Sequence, residues 1–251
     1  MKPLFLLAVF PVVLMGWMSC SHSGTGHAAL PDPRTVDKSV PEYKNPFHPS
    51  TYAHFVARKD YRKTYDVYKD DTLLNRQPKK SRKIFVCLDE QRGQYLVDGL
   101  VAMDFPLSSG VKAYPTKTGD YTVISKKEDY ASNLYGKMYD AEGKCINYNA
   151  ESTDPVPEGG RFDGSPMPYW QRLTNAGLGL HVGKVRRHPV SHGCVRLPRN
   201  VAEILYRQTS IGTPVTIRKT PLPVPEAQKI PPAQQQGPEA ANNSLPEQCS
   251  L

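Results

Sequence analysis

Residues 84–106 alternate with a period of two, which short strands explain and a helix does not. Ile84, Val86 and Leu88 fall on one side of the pattern, and Phe85, Cys87 and Asp89 on the other. Gln91-Arg92-Gly93 reads as a turn, 94–97 as the return strand, Asp98-Gly99 as a tight hairpin turn and 100–106 as a third strand. Ser108-Ser109-Gly110 closes this run. Pro115-Thr116-Lys117-Thr118-Gly119-Asp120 forms another loop, and 121–125 another strand. Strands this short, joined by Gly, Pro and Asp, predict a mainly β chain.

Later segments are read the same way. Residues 128–165 are acidic and interrupted by Pro and Gly, with no clean period, and read as a long loop beside a cleft. Met167-Pro168-Tyr169-Trp170 ends that loop. Asn200 precedes V-A-E-I-L-Y with Glu203 three residues on, the spacing of a capping box. Val201, Ile204 and Leu205 give that helix one apolar face. A last strand covers 214–217.

The ends look different. The chain has 251 residues with 24 Pro, 18 Gly and a mean hydropathy of −0.52, which suits one loop-rich domain with unpacked ends. Lys2 and the apolar run 4–18 read as an export signal, too short to span a bilayer comfortably. An apolar run ending in Ser19-Cys20 resembles a lipoprotein signal, in which Cys20 is diacylated. Cleavage near Gly26-His27-Ala28 and a retained anchor are the alternatives. A net charge of +8 first suggests nucleic acid. Export argues against that partner. The basic stretch 51–82, interleaved with Phe55, Tyr61, Tyr65 and Tyr68, reads as an arm packed on the domain, or as a surface attracted to anionic headgroups or wall carboxylates.

Residues 179–198 carry the chemistry. They hold Cys194, with His181, His188 and His192 close by, and Ser191-His192-Gly193-Cys194 are consecutive. An imidazole can take the thiol proton, and the imidazolium then holds the thiolate near neutral pH. One competing reading makes Cys194 a buried small hydrophobe. Another lets the three histidines and Cys194 bind zinc. Pro189 and Gly193 argue against a helix that would align His188 with His192, and no C-x-x-C is present.

H-V-G-x(7)-S-H-G-C-V-R-L-P resembles the signature of the bacterial L,D-transpeptidase catalytic-domain family, and the resemblance covers about 83–219. It implies a β-sandwich or barrel with short helices and a long cleft loop. It implies an enzyme that needs no cofactor and no metal. Cys194 would be the nucleophile and His181 the general base. His192, Gly193 and Ser191 would support the turn and the oxyanion, with Ser191 fixing an imidazole tautomer and N–H groups at Gly193 and Cys194 as donors. Arg196 would pair with a carboxylate of the substrate. Tyr169 and Trp170 would wall the cleft, against the alternative of a hydrophobic clasp on the core. The family's Ser-x-Gly and T-P-x-G loops correspond to 108–110 and 116–119, with Lys117 at the proline place.

The implied substrate is a peptidoglycan tetrapeptide stem, cut before its terminal D-Ala. The acceptor would be a second stem, giving a 3→3 crosslink, or a lipoprotein amine. Water would instead make a carboxypeptidase or endopeptidase. A non-catalytic wall-binding lipoprotein is the rival from another class. The expected organisation is a lipoprotein signal peptide at 1–20, a flexible linker at 21–50, the basic arm at 51–82, the catalytic domain at 83–219 and a disordered Pro/Gln-rich tail at 220–251. The expected location is the cell envelope, tied to a membrane by lipid. Cys87 and Cys145 are candidates for a disulfide.

Overall fold

The alternating run forms three antiparallel strands. The computed structural model describes residues 30–77 and 81–231. In chain order these contain α1 (Tyr52–Ala57), β1 (Tyr68–Lys69), α2 (Asp71–Asn75), β2 (Arg82–Cys87), β3 (Arg92–Val97), β4 (Leu100–Pro106), β5 (Gly119–Thr122) and β6 (Ser125–Lys127). They continue with β7 (Ala131–Tyr139), β8 (Cys145–Glu151), β9 (Arg161–Pro166), β10 (Trp170–Arg172), β11 (Gly179–Val182), β12 (Val195–Leu197), α3 (Arg199–Gln208) and β13 (Pro214–Arg218). β2, β3 and β4 pair as hairpins, and Asp98 and Gly99 both take positive φ (51° and 79°), as a two-residue turn matched to strand twist requires.

The strands form three sheets, ordered β1-β4-β3-β2-β13-β5, β12-β11-β10-β6 and β8-β7-β9. Ile84, Val86, Tyr95, Met103 and Phe105 of the first sheet share one core with Leu180, Val195 and Leu197 of the second and with Val201, Ala202 and Leu205 of α3. The expected sandwich of sheets with short helices is therefore present. The apolar face of α3 docks as read, but its cap differs. The helix begins at Arg199 behind Pro198, no side chain caps it, and Glu203 pairs with Arg207 at 2.8 Å. Pro198 already holds a φ of −57°, so the turn starts directly after it.

Three expectations for the chain's organisation change. Residues 128–165 are not a loop but mostly the three-stranded sheet β8-β7-β9. Few of its side chains are buried, chiefly Met138 and Ala150, and its register shifts around Met138. A sheet open on both faces has no apolar side to alternate, so the period-two signal is missing.

The linker reading fails for its described part. Phe47 is buried, Arg34 pairs with the buried Glu90 at 2.8 Å and donates to Leu222 O, and Lys38 and Tyr43 donate to the carbonyls of Val56 and Ala57. The start of the tail is likewise packed. Val224 is buried, and Gln228 bonds both the N–H and the C=O of Val101. The rest of the tail, the signal peptide and Cys20 lie outside the described residues. Cys87 and Cys145 are both free; the buried Cys87 thiol donates to Lys219 O.

The basic stretch is an integral layer rather than an appendage. Tyr52, Phe55, Val56 and Tyr61 form a second core with Phe47, Val101 and Val224. Beneath it, Asp104 and Arg92 form an ion pair with both side chains 0% exposed. The Asp104 carboxylate also accepts from Tyr52 OH (2.6 Å), Tyr61 OH (2.8 Å) and Gln94 Nε2 (3.1 Å). Arg92 spends its remaining donors on Thr64 O and Asp66 O. A buried charge is tolerable only when paired and saturated with hydrogen bonds, and this network meets both demands.

Candidate active site

The parallel pairing of β11 with β12 brings the reactive residues together. Leu180 pairs with Val195 and His181 with Arg196, so Cys194, one residue before β12, comes beside the start of β11. Cys194, His181 and Arg196 line one cleft of about 720 Å³. Its far wall is the β8-β7-β9 sheet, through Ser132, Tyr135, Tyr148 and Asn149. The stretch read as a loop therefore does lie at the cleft.

The Cys194 turn is held from behind. Gly193 has φ of +110°, which favours glycine. Ser191 Oγ donates to Cys194 O and accepts from Gly193 N–H at 3.2 Å. Ser191 thus staples the turn, contrary to the expectation that it orients an imidazole. Thr116 Oγ1 accepts from Gly110 N–H (2.8 Å) and donates to Gly193 O (2.6 Å). A Cβ on Gly110 would lie 2.1 Å from Tyr114 O and 2.8 Å from Gly193 Cα, so this contact admits no side chain. Sequence reasoning passed over Thr116 as a residue with a task. The signal was the family's T-P-x-G loop, which begins at this threonine.

With the Gly193 N–H engaged by Ser191, that donor is committed. Among the described residues the Cys194 N–H donates no hydrogen bond, so it is the one of the two expected oxyanion donors left available. The Cys194 thiol donates to Gly177 O at 3.2 Å. Burial pushes the thiol above its ordinary value, opposed by the Gly179 N–H and by the charges of Arg196 and Arg172.

His181 is 6% exposed, and its Nδ1 lies 2.8 Å from Val182 O. A carbonyl only accepts, so Nδ1 carries the hydrogen and Nε2 keeps its lone pair. Burial lowers its pKa from 6.5 to about 4, with the Val182 hydrogen bond working against this and Arg196 adding to it. Burial thus works against the thiolate and the imidazolium alike, and so against the ion pair that the sequence suggests. Desolvation penalises both charged forms in the same buried corner.

That has a measurable consequence. Between pH 6.5 and about 4 the unfolded chain binds a proton at His181 that the folded chain does not. Stability is therefore expected to fall as the pH drops through this window, by on the order of 3 kcal/mol, with no contribution above it. Urea melts of wild type and His181→Gln across the window check this; the variant should lose that part of the slope. An equal slope in both would place the His181 pKa near its ordinary value.

The other histidines diverge. His188 is exposed. His192 stacks on Tyr135 (4.4 Å between centroids, 20°) and tilts against Tyr114 (4.8 Å), bridging the Cys194 turn to the β8-β7-β9 sheet. Among the described residues no group of three or more His, Cys, Asp or Glu side chains is placed to hold a metal ion.

The family model for the YkuD L,D-transpeptidase catalytic domain matches residues 81–217, more than half of the chain. This chain belongs to that family. A "Probable L,D-transpeptidase 3" of Mycobacterium tuberculosis is 32% identical over 121 residues, covering 45% of this chain and 38% of that protein. The match thus spans well under half of that relative's length. Among solved structures, an L,D-transpeptidase from Mycobacterium smegmatis is 22% identical with a TM-score of 0.42, over 55% of this chain and 58% of that one. The catalytic domain of the E. faecium L,D-transpeptidase is 28% identical with a TM-score of 0.40, over 55% of this chain and 98% of that one.

The two aromatic residues expected to wall the cleft of this L,D-transpeptidase-family domain separate. Trp170 is 1% exposed and lines the cleft, with Tyr130 stacked on it at 5.1 Å and the His181 ring 6.0 Å away. Tyr169 does not line it. At φ of 55° it points to α3, where it packs on Tyr206 (5.6 Å) and under Arg199. The left-handed backbone at Tyr169 turns the chain just before β10, so Trp170 became cleft floor and Tyr169 a clasp.

Proposed function

We propose that the protein is a cysteine L,D-transpeptidase that acts on peptidoglycan tetrapeptide stems and forms 3→3 crosslinks. The observation that carries this reading is the shared cleft of Cys194 and His181, with Nδ1 of His181 tied to Val182 O so that Nε2 can take a proton. His181 Nε2 removes the Cys194 proton as the sulfur attacks the carbonyl between the third residue and D-Ala. The Cys194 N–H faces the developing oxyanion. Collapse expels the D-Ala amine, which leaves with the proton from His181, and a thioester remains. A second stem's amine then attacks the thioester and yields its proton through His181, restoring the thiol. Arg196, half-buried and without an ion pair among the described residues, is placed for a stem carboxylate.

A non-catalytic wall binder would have no use for a thiol and a base in one cleft. The acceptor is decided by analysing muropeptides after incubation with isolated sacculi. New 3→3 dimers are the expected product. Trimmed stems or cut crosslinks would assign water as acceptor, and an unchanged profile would overturn the enzyme reading.

The same proposal places the protein in the cell envelope, held to a membrane by lipid on Cys20, with a lipoprotein amine as an alternative acceptor. Among the described residues no helix is long and apolar enough to cross a membrane. Cys20→Ser should move the protein from the membrane fraction; identical fractionation would remove the lipid from the account.

A further inference from the structure

The charges along the cleft are all of one sign. Lys117, Arg172, Lys184 and Arg196 line it, and among the described lining residues there is no aspartate or glutamate. The sheet that forms the far wall is nonetheless rich in acids. Asp140, Glu142, Glu151, Asp154, Glu158 and Asp163 belong to it or its turns, and none lines the cleft. None of the four cations forms an ion pair among the described residues.

Two of the four are more than surface charges. Arg172 and Arg196 are half-buried. Arg172 donates to Tyr130 OH at 3.1 Å and lies over the Tyr130 and Trp170 rings at 5.9 and 5.6 Å, which fixes it above the cleft floor. Both side chains line the same cleft as Cys194, and Arg196 stands two residues after it in the chain. A half-buried cation without a counterion is held at a cost that an entering anion removes. Four like charges around one concave surface also concentrate anions there and repel cations.

We infer that the cleft selects donor stems whose internal carboxylates are free, and that Arg172 and Arg196 read those carboxylates. Amidated stems, which keep their shape but lose the charge, are the disfavoured class. This rests on the transpeptidase reading and specifies its substrate.

The test uses the full chain and tetrapeptide donors that share the terminal D-Ala and differ only in amidation of one internal carboxylate. Release of D-Ala is followed with a common acceptor stem. Amidation should lower kcat/KM by about tenfold to a hundredfold, the scale of one lost charge-assisted hydrogen bond. Most of that should lie in KM, and raised salt should narrow the difference. Arg172→Gln should lower turnover of the free donor more than that of the amidated donor, so that discrimination collapses. Lys184→Gln, at an exposed position, gives a second variant in which discrimination should shrink without risk to the fold. If wild type turns over every donor within threefold, or prefers an amidated one, the inference is overturned and the transpeptidase reading stands. If no donor releases D-Ala, both fall together.

Discussion

Cys194→Ala is expected to abolish labelling by a carbapenem, where the wild-type chain should gain the mass of one intact drug molecule. The thiol adds across the strained amide, so the sulfur keeps the acyl carbon and the ring nitrogen takes the proton. His181→Ala should retain the nucleophile but lower the labelling rate by on the order of 10²–10⁴-fold, the usual contribution of one positioned general base. His188→Ala should label at the wild-type rate, because that side chain is exposed. Intact-mass spectrometry over a time course distinguishes the three. A fast His181→Ala beside a slow His188→Ala would assign the base to the wrong histidine, and a labelled Cys194→Ala would place the nucleophile elsewhere.

Asp104→Ala is expected to destabilise the fold more than any change at the cleft. It leaves Arg92 charged and fully buried and strips Tyr52 OH, Tyr61 OH and Gln94 Nε2 of their acceptor. Removing one partner of a buried pair costs about 3–5 kcal/mol, a large share of a domain's typical 5–15 kcal/mol. Chemical denaturation should show a lower midpoint with an unchanged slope. The double variant Arg92→Met, Asp104→Leu should recover much of the loss, since apolar replacement of a whole buried pair is often near neutral. A single variant as stable as wild type would mean that water reaches the pair.

The cleft and this buried pair differ in how visible they are along the chain. Cys194 and His181 stand thirteen residues apart in a motif of recognisable order, and the structure brings both to one cleft. Arg92 and Asp104 sit on neighbouring strands, Arg92 where the sequence suggests a turn, and nothing local says that two tyrosines and the Thr64 and Asp66 carbonyls of the basic stretch converge on them. The same holds for Thr116. Its partner, the Gly193 carbonyl, is 77 residues away, so its role exists only once the Cys194 turn is folded against it. Ser191 was singled out from its place in the motif, but the contact it makes is to the Cys194 backbone rather than to a ring.

By itself the sequence determined the β2–β3–β4 hairpins, the tight turn at Asp98-Gly99 and the apolar face of α3, and it singled out Cys194 and His181, which the fold brings to one cleft. Each of these is set by neighbours within a few positions, where period and turn chemistry act directly. Only the tertiary structure decided that residues 131–166 are a sheet over the cleft, that residues 31–50 pack on the domain, and that Trp170 faces the cleft while Tyr169 faces α3. It also decided that His181 is buried, which disfavours its charged form. These outcomes depend on which distant surfaces exclude water from a residue, and burial of that kind is a property of the assembled sheets rather than of any window of the chain.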